Sequence, residues 1–207
     1  FKNLVSGWLK DKEKVHCIYN GILLPEFKDN IKFKPNTIFS SGRLVPWKGF
    51  NVLIRMMIKL PEWELYIAGD GPMKDELNEL ILSLNLEKRV FLMGQIKRDK
   101  LLEYLRKSEI FVLNTSFESF SFQIVEAMAV GVPVISTDIG NISEIVDNGK
   151  SGILVKPNDE DAIIKAINYL RDDNIRREII MQAKKKSSNF NITNTMNNLL
   201  LLINKNE

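Results

Sequence analysis

Short apolar runs alternate with longer amphipathic stretches along most of the chain. Glu64–Gly69 and Glu109–Asn114 are hydrophobic nearly throughout rather than at every second residue, as expected of strands that helices cover on both faces. The stretches between such runs carry apolar residues at helical spacing, as Leu101, Leu102 and Leu105 do. About six alternations of strand and helix predict a three-layer α/β sandwich with a parallel sheet and right-handed crossovers.

The element boundaries follow from the same patterns. The predicted strands are Val15–Tyr19, Thr37–Ser41, Glu64–Gly69, Arg89–Gly94, Glu109–Asn114, Pro133–Thr137 and Gly152–Lys156. The predicted helices are Phe50–Lys59, Met73–Leu84, Asp99–Arg106, Phe122–Ala129, Ile142–Val146 and Asp159–Leu170. Pro72 suits a first helical position, and Asp159 suits a helix cap.

Charge and composition limit the classes of protein to which the chain can belong. The chain has 207 residues, 44% of them hydrophobic, which is enough for one main domain. Its net charge of +3 comes from cations spread among acids, which argues against nucleic-acid binding. Lys184–Lys186 is a tight basic run that we interpret as a solvated helix face, although peripheral contact with anionic lipid stays open. No run approaches the roughly 18 apolar residues of a membrane span, and no signal peptide is visible.

Cysteine and histidine are almost absent. The single Cys17 excludes an intramolecular disulfide and a cysteine-based zinc cluster, so a cytoplasmic location is expected. The lone His16 cannot build a metal site by itself. Because the chain begins at Phe1 and not at Met, we expect it to be a piece of a longer protein.

Parallel sheets bind ligands beyond the carboxyl ends of their strands. The first such loop, Gly42–Phe50, carries Arg43 and Lys48 five residues apart. Gly42 permits a tight turn, and two cations at one strand end could hold a diphosphate. The alternative is two ordinary surface cations. The loop lacks the Walker spacing of a P-loop.

The second loop, Ala68–Leu77, has Gly69 and Gly71 but lacks the third glycine of a dinucleotide fingerprint. We interpret it as a close turn that leads into a helix.

Two glutamates flank the start of the alanine-rich helix in the stretch from Phe117 to Ser136. Glu118 lies before the helix and Glu126 lies within it, with seven residues between them. Free amides at a helix start favour an anion such as phosphate, whereas carboxylates accept hydrogen bonds from hydroxyls. Together these groups describe a site for a nucleotide attached to a sugar. The alternatives are a favourable acid near a helix start for Glu118 and an exposed helix acid for Glu126.

Six landmarks in this order resemble the nucleotide-binding half of retaining glycosyltransferases of family 4, which have the two-domain GT-B fold. They are YNGI (19–22), GRLVPWKG (42–49), YIAGDGP (66–72), VFLMG (90–94), ESFSFQIVEAMAVGVPVIST (118–137) and IGNISEIVDNGKSGILVKPND (139–159). The resemblance spans nearly the whole chain and implies a Rossmann-like domain, the carboxyl-terminal half of a GT-B enzyme.

The resemblance also implies roles for individual residues. Arg43 and Lys48 would neutralise the donor diphosphate, Glu118 would face the transferred sugar, and Glu126 would accept hydrogen bonds from the ribose hydroxyls. The remaining expected contacts of the nucleotide sugar are Gly42, then Gln95 and Ile96 at the border of the base, and Ser119, Phe120, Ser121 and Phe122 near the sugar and phosphate.

By the same resemblance, the expected reaction transfers a sugar, with retention, from a UDP-, GDP- or ADP-sugar to a hydroxyl acceptor. The acceptor would be a sugar, a glycan or a lipid-linked molecule in cell-surface polysaccharide or glycolipid synthesis. No metal or other cofactor is expected, because protein cations would meet the diphosphate. A noncatalytic nucleotide-sugar-binding subunit and a GT-B nucleotide-sugar epimerase are the alternatives, and a Rossmann dehydrogenase fits less well because the glycine fingerprint is incomplete.

Three segments are expected by comparison with that family. Residues 1–24 would be a remnant of an amino-terminal domain and its crossover, residues 25–187 the nucleotide-sugar-binding domain, and residues 188–207 a helix that packs on the absent domain. Two positions depart from the family pattern, since Ser121 and Asn141 stand where glycine is common. A side chain at Ser121 would shift the sugar, offer it a hydroxyl, or accompany weakened activity.

Overall fold

The computed structural model describes residues 16–23 and 33–204. By their contacts, the described residues divide between two compact units. The larger unit is Pro25–Ser188, and the smaller one is drawn from the segments up to Leu24 and from Asn189 onward.

Strands and helices alternate through the larger unit. Its strands are β1 (Thr37–Ser41), β2 (Glu64–Ala68), β3 (Val90–Leu92), β4 (Ile110–Leu113), β5 (Val134–Thr137) and β6 (Ile153–Val155). Its α-helices are α1 (Phe50–Met56), α2 (Lys74–Ser83), α3 (Arg98–Lys107), α4 (Phe122–Val130), α5 (Ile142–Ile145), α6 (Glu160–Tyr169) and α7 (Asp173–Ser187), and a 3-10 turn spans Pro46–Lys48.

The six strands form one parallel sheet in the order β3-β2-β1-β4-β5-β6. This confirms the predicted Rossmann-like α/β fold. The strand order reverses between β1 and β4, and open sheets of this kind bind ligands at the carboxyl ends of the strands beside such a reversal.

The two faces of the sheet pack against different helices. Ile38 and Val112 belong to a core that includes residues of α1, α2 and α6, all of them buried. Phe39 and Phe111 lie on the other face, with ring centroids 6.3 Å apart, and Phe39 stacks on Tyr104 of α3 at 6.5 Å. Burial on both faces explains why the strands read as continuous apolar runs.

The predicted elements are confirmed with small shifts of boundary. As predicted, the Asp159 carboxylate caps α6 by accepting from the Ala162 amide at 2.9 Å, and Gly131 ends α4. The first helical position predicted for Pro72 is wrong, because Pro72 lies in a turn and α2 begins at Lys74.

Two further differences concern whole elements. The sequence patterns did not predict α7, whose mostly polar surface gives a weak periodic signal. The predicted strand Val15–Tyr19 is wrong over the part that is described, residues 16–19, and Val15 lies outside the described residues.

The smaller unit holds two chain segments together. The Ile22 amide donates to the Phe190 carbonyl at 2.8 Å, and the Ile192 amide donates to the Ile22 carbonyl at 2.9 Å. Tyr19 packs edge-on against Phe190 at a centroid distance of 5.6 Å. A final helix, α8 (Ile192–Asn204), follows. The proposed packing of this segment on another domain stays a prediction.

The basic run lies near the end of α7 and is largely solvated. Lys186 forms an ion pair with Asp147, and Lys184 passes close to Gly131. These contacts agree with a helix face. No helix within residues 16–23 and 33–204 is long and apolar enough to cross a membrane.

Asn114, directly after β4, joins three parts of the chain. Its buried amide group donates to the Gly49 carbonyl and to the Asn158 side-chain oxygen, both at 3.1 Å. Its side-chain oxygen accepts from the Asn158 backbone amide at 2.9 Å. Asn114 therefore fastens the loop after β1 and the loop after β6 to the carboxyl end of β4.

The Asn114→Ala change should destabilise the protein, because it removes the three hydrogen bonds that this buried side chain forms with Gly49 and Asn158. We expect the free energy of unfolding to fall by about 2–3 kcal/mol, measured by urea denaturation. The matched control is Asn78→Ala on the exposed surface of α2, which should change it by less than about 0.5 kcal/mol. Equal effects of the two changes would contradict this role of Asn114.

Candidate functional site

The 3-10 turn Pro46–Lys48 is held against the segment that follows β4. The Trp47 carbonyl accepts a hydrogen bond from the Ser116 amide at 2.8 Å and another from the Thr115 hydroxyl at 3.2 Å. The Thr115 carbonyl in turn accepts from the Thr137 hydroxyl at 2.6 Å. These bonds bring Lys48, the last residue of the turn, to the residues that precede α4.

Lys48 and Glu118 form a salt bridge at this point. Their side chains are only 11% and 14% exposed, so each charge depends on the other in surroundings with little water. The stem of Lys48 runs beside Gly42, where a Cβ atom would lie 3.7 Å from the lysine Cε. An ammonium group has three donors, which leaves Lys48 able to bind an anion while it holds Glu118.

A cleft of about 390 Å³ opens beside this pair at the carboxyl ends of β1 and β2. It is lined by Ser41, Gly42, Arg43, Ala68, Gly69, Asp70, Gln95, Ile96, Leu101 and Gln123. The structure thus brings together four of the residues predicted for the site: Gly42, Arg43, Gln95 and Ile96. Arg43 is exposed and has no ion-pair partner among the described residues, so its charge is available to a ligand.

Backbone forms much of this part of the cleft. Gly69 has a φ of 148°, and a Cβ atom on it would overlap the Gly42 carbonyl. The Gly42 amide donates to the Ala68 carbonyl at 2.9 Å, which continues the pairing of β1 and β2 beyond the strands. Only glycine at position 69 permits the two loops to approach this closely.

Glu126 is bound by a residue that the sequence analysis did not identify. The Arg98 Nε donates to Glu126 Oε1 at 2.9 Å, with the glutamate side chain 10% exposed and the arginine half exposed. The described residues provide no hydrogen bond to Oε2 of Glu126. Arg98 and Glu126 each lie one turn from a residue of the cleft wall, Leu101 and Gln123 respectively. The ion pair therefore lies along the side of the cleft formed by α3 and α4.

The two residues that depart from the family pattern, Ser121 and Asn141, both form hydrogen bonds around the start of α4. Ser121 is the N-cap: its φ is −104°, its hydroxyl accepts from the Ile124 amide at 3.4 Å, and it donates to Gln123 Oε1 at 3.2 Å. Asn141 has a φ of −90° and donates from its side-chain amide to the Ser119 carbonyl at 2.7 Å. Neither backbone conformation requires glycine, and both side chains fix the loop before α4.

The other residues predicted for the site surround that loop. Ser119 and Phe122 are exposed, whereas Phe120 is half-buried and meets Phe122 edge-on at a centroid distance of 5.2 Å. They lie beside Glu118 but do not line the cleft. The predicted residues thus fall into three neighbouring groups: the cleft, the pair of Lys48 and Glu118, and the start of α4.

Sequence reasoning missed several residues of the site. Asp70 and Leu101 lie in the cleft wall, and their only signal was proximity to the loops after Gly69 and Gly94. Ser41 was noted only as the end of a strand. Nothing in the spacing of Arg98 and Gln123 points to their partners, because these partners depend on how α3 packs against α4.

Acidic residues do not gather into a metal site in the described part of the chain, where no group of three His, Cys, Asp or Glu side chains is close enough to hold an ion. The chain contains one Asp-x-Asp sequence, Asp159–Asp161. Its first residue caps α6, and the next two form ion pairs with Lys59.

Known proteins are similar to this chain in sequence and in fold. The family described as glycosyl transferases group 1 matches residues 25–187. An uncharacterised glycosyltransferase of Methanocaldococcus jannaschii is 32% identical over 84% of this chain and 49% of its own length. A Campylobacter jejuni relative is 31% identical over 91% of this chain and 53% of its own length; its name is N-acetylgalactosamine-N,N'-diacetylbacillosaminyl-diphospho-undecaprenol 4-alpha-N-acetylgalactosaminyltransferase. The chain spans about half the length of these relatives.

Solved structures agree in fold. A TarM variant of S. aureus, in complex with Fondaparinux, alpha-GlcNAc-glycerol and UDP, superposes with a TM-score of 0.83 at 22% identity, over 98% of this chain and 42% of its own. HepE of Anabaena, in complex with UDP and glucose, gives 0.82 at 23% identity, over 99% of this chain and 60% of its own. The family match over most of the chain, together with the parallel sheet and its cleft, shows that the chain belongs to the glycosyl transferases of group 1.

Proposed function

We propose that the protein binds a nucleoside diphosphate sugar in the cleft beside β1 and transfers the sugar to a hydroxyl acceptor. The observation that carries this proposal is the placement of two cations at one strand end, next to a carboxylate. Arg43 has no counter-ion among the described residues, and Lys48 holds Glu118. This is a site for an anion that also offers an acceptor to hydroxyl groups.

The diphosphate of the donor would lie between Arg43 and Lys48. When the bond between sugar and phosphate breaks, negative charge collects on the leaving phosphate oxygen, and preorganised cations stabilise that charge. Lys48 can donate to a phosphate oxygen without releasing Glu118, because its ammonium group has three donors. Glu118 thereby keeps Lys48 in position and is itself held where the transferred sugar would lie.

The nucleoside would occupy the cleft itself. Gln95 and Ile96 line it and would border the base. Glu126, with Oε1 bound to Arg98 and Oε2 unoccupied by described residues, would accept hydrogen bonds from the ribose hydroxyls. UDP is the first nucleotide to test because TarM and HepE were solved with UDP.

The proposal also includes the stereochemistry of the transfer, which is retention of the anomeric configuration, and the class of acceptor. We infer membership of family 4, and hence retention of the anomeric configuration, from the ordered motifs. The Campylobacter jejuni relative is named for transfer to a diphospho-undecaprenol molecule, and a Rhizobium meliloti relative, 32% identical, is named for lipopolysaccharide core biosynthesis. Both names support an acceptor in glycolipid or polysaccharide synthesis. A cytoplasmic location is a separate part of the proposal.

Ser121 bears on the alternative of a noncatalytic subunit. Its hydroxyl is used in the cap of α4, and its backbone conformation is one that any residue adopts. The departure from glycine therefore gives no support to an inactive site, and we favour an enzyme.

The Lys48→Ala change should weaken nucleotide binding by about tenfold to a hundredfold, the value of a charge-assisted hydrogen bond. Calorimetric titration with UDP, GDP and ADP, each with EDTA and then with Mg²⁺, measures the affinity and identifies the base. We expect binding without metal. The control is Lys165→Ala on the exposed surface of α6, and an equal loss in the control would remove the assignment of Lys48.

In the full-length enzyme, with its amino-terminal domain, the Arg43→Ala change should lower turnover by about 10² to 10³, as the loss of a donor to a developing charge does elsewhere. Release of nucleoside diphosphate from the selected sugar donor, with glycan and lipid-linked acceptors, measures the rate. The anomeric coupling constant of the product in proton NMR tests retention. Parent-like turnover in this variant would contradict the charge role, and donor conversion without acceptor would indicate an epimerase.

The Glu126→Ala change should abolish discrimination between UDP and 2′,3′-dideoxy-UDP. In the parent protein we expect the dideoxy nucleotide to bind about tenfold more weakly, because it lacks the hydroxyls that would donate to Glu126. In the variant the two affinities should be equal. A preserved preference for the ribonucleotide would show that its hydroxyls bind elsewhere.

A further inference from the structure

The Ser41 hydroxyl is a buried polar group without a partner. Ser41 is 2% exposed, and its Oγ is the single buried side-chain nitrogen or oxygen that lacks a hydrogen bond within residues 16–23 and 33–204. Buried hydroxyls in native proteins are nearly always hydrogen-bonded, and an unbonded one is unfavourable. A molecule bound in the cleft, which Ser41 lines, could supply the missing partner.

Three other hydroxyls at the strand ends each donate to a backbone carbonyl of β4 or of the residues just after it. Ser40 donates to the Val112 carbonyl at 2.7 Å, Ser136 to the Leu113 carbonyl at 3.0 Å, and Thr137 to the Thr115 carbonyl at 2.6 Å. Ser41 differs from Ser40 in the face of the sheet that it occupies. It shares the face of Phe39, which packs against α3, and it lines the cleft.

The surroundings of Ser41 identify the part of a ligand that would reach it. Ile96 and Leu101 supply apolar surface to the cleft, and Gln95 supplies an amide, which suits a planar heterocycle and its ribose. Lys48 and Ser121, which belong to the proposed diphosphate and sugar regions, are not among the lining residues. Arg43 alone joins the cleft to the proposed diphosphate position.

We propose that the Ser41 hydroxyl, which has no hydrogen-bond partner among the described residues, binds the nucleoside part of the donor. This assignment rests on the proposed function, since it requires a nucleotide in the cleft. Ser41 would add affinity for the nucleoside and not for the phosphates.

The Ser41→Ala change tests the assignment with two ligands, UDP and uridine, or with another nucleotide and its nucleoside if the titration above selects one. We expect both to bind about fivefold to tenfold more weakly, as for the loss of one neutral hydrogen bond, equivalent to about 1.0–1.4 kcal/mol. The melting temperature of the ligand-free protein should not fall, because the hydroxyl has no bond to lose in that state.

Ser40→Ala is the matched control, one residue away on the opposite face. It should lower the melting temperature by about 2–4 °C, because the Val112 carbonyl loses its donor, and leave both affinities unchanged. If Ser41→Ala weakens UDP alone, the hydroxyl contacts phosphate and the nucleoside assignment is overturned. Unchanged affinity for both ligands overturns it as well. Failure of the parent protein to bind any nucleotide overturns the proposed function first, and the assignment with it.

Discussion

The hydrogen bonds that fasten the Pro46–Lys48 turn to the chain after β4 decide where the charges of the site lie. Trp47 contributes only its carbonyl, which receives donors from Thr115 and Ser116. Because the Ser116 amide and the Trp47 carbonyl are backbone groups, the backbone of Lys48 is positioned by the end of the sheet. The same sheet edge presents Glu118, so the pair forms wherever this loop and this strand end are both in place.

Charge in this region is arranged to be nearly balanced before a ligand arrives. A buried lysine without a partner would be costly, and Glu118 removes that cost. Arg43 remains exposed and without a counter-ion among the described residues, so the net field at the strand end favours an anion. The arrangement pairs the charge of Lys48 in the ligand-free domain and leaves positive charge at Arg43 for the diphosphate that we propose it binds.

The fold could be predicted from the sequence because the patterns that indicate strands and helices lie in short, local stretches of the chain. Runs such as Ile110–Leu113 are apolar throughout since helices cover both faces, and Asp159 caps a helix through its own neighbour. Sequence reasoning also named Lys48, Glu118 and Glu126 by their place in ordered motifs. It could not find Arg98, because the contact with Glu126 depends on the packing of α3 against α4. Nor could it single out Ser41 from Ser40, since only the three-dimensional structure shows which hydroxyl is bonded.

The contacts that hold the candidate site together join residues that lie far apart in the sequence. Asn114 is 65 positions from Gly49 and 44 from Asn158, and Lys48 is 70 positions from Glu118. Contacts of such long sequence separation form only when long loops close, which costs chain entropy. A growing chain on the ribosome therefore holds no finished site until residue 158 has emerged, although Arg43 and Lys48 were synthesised long before.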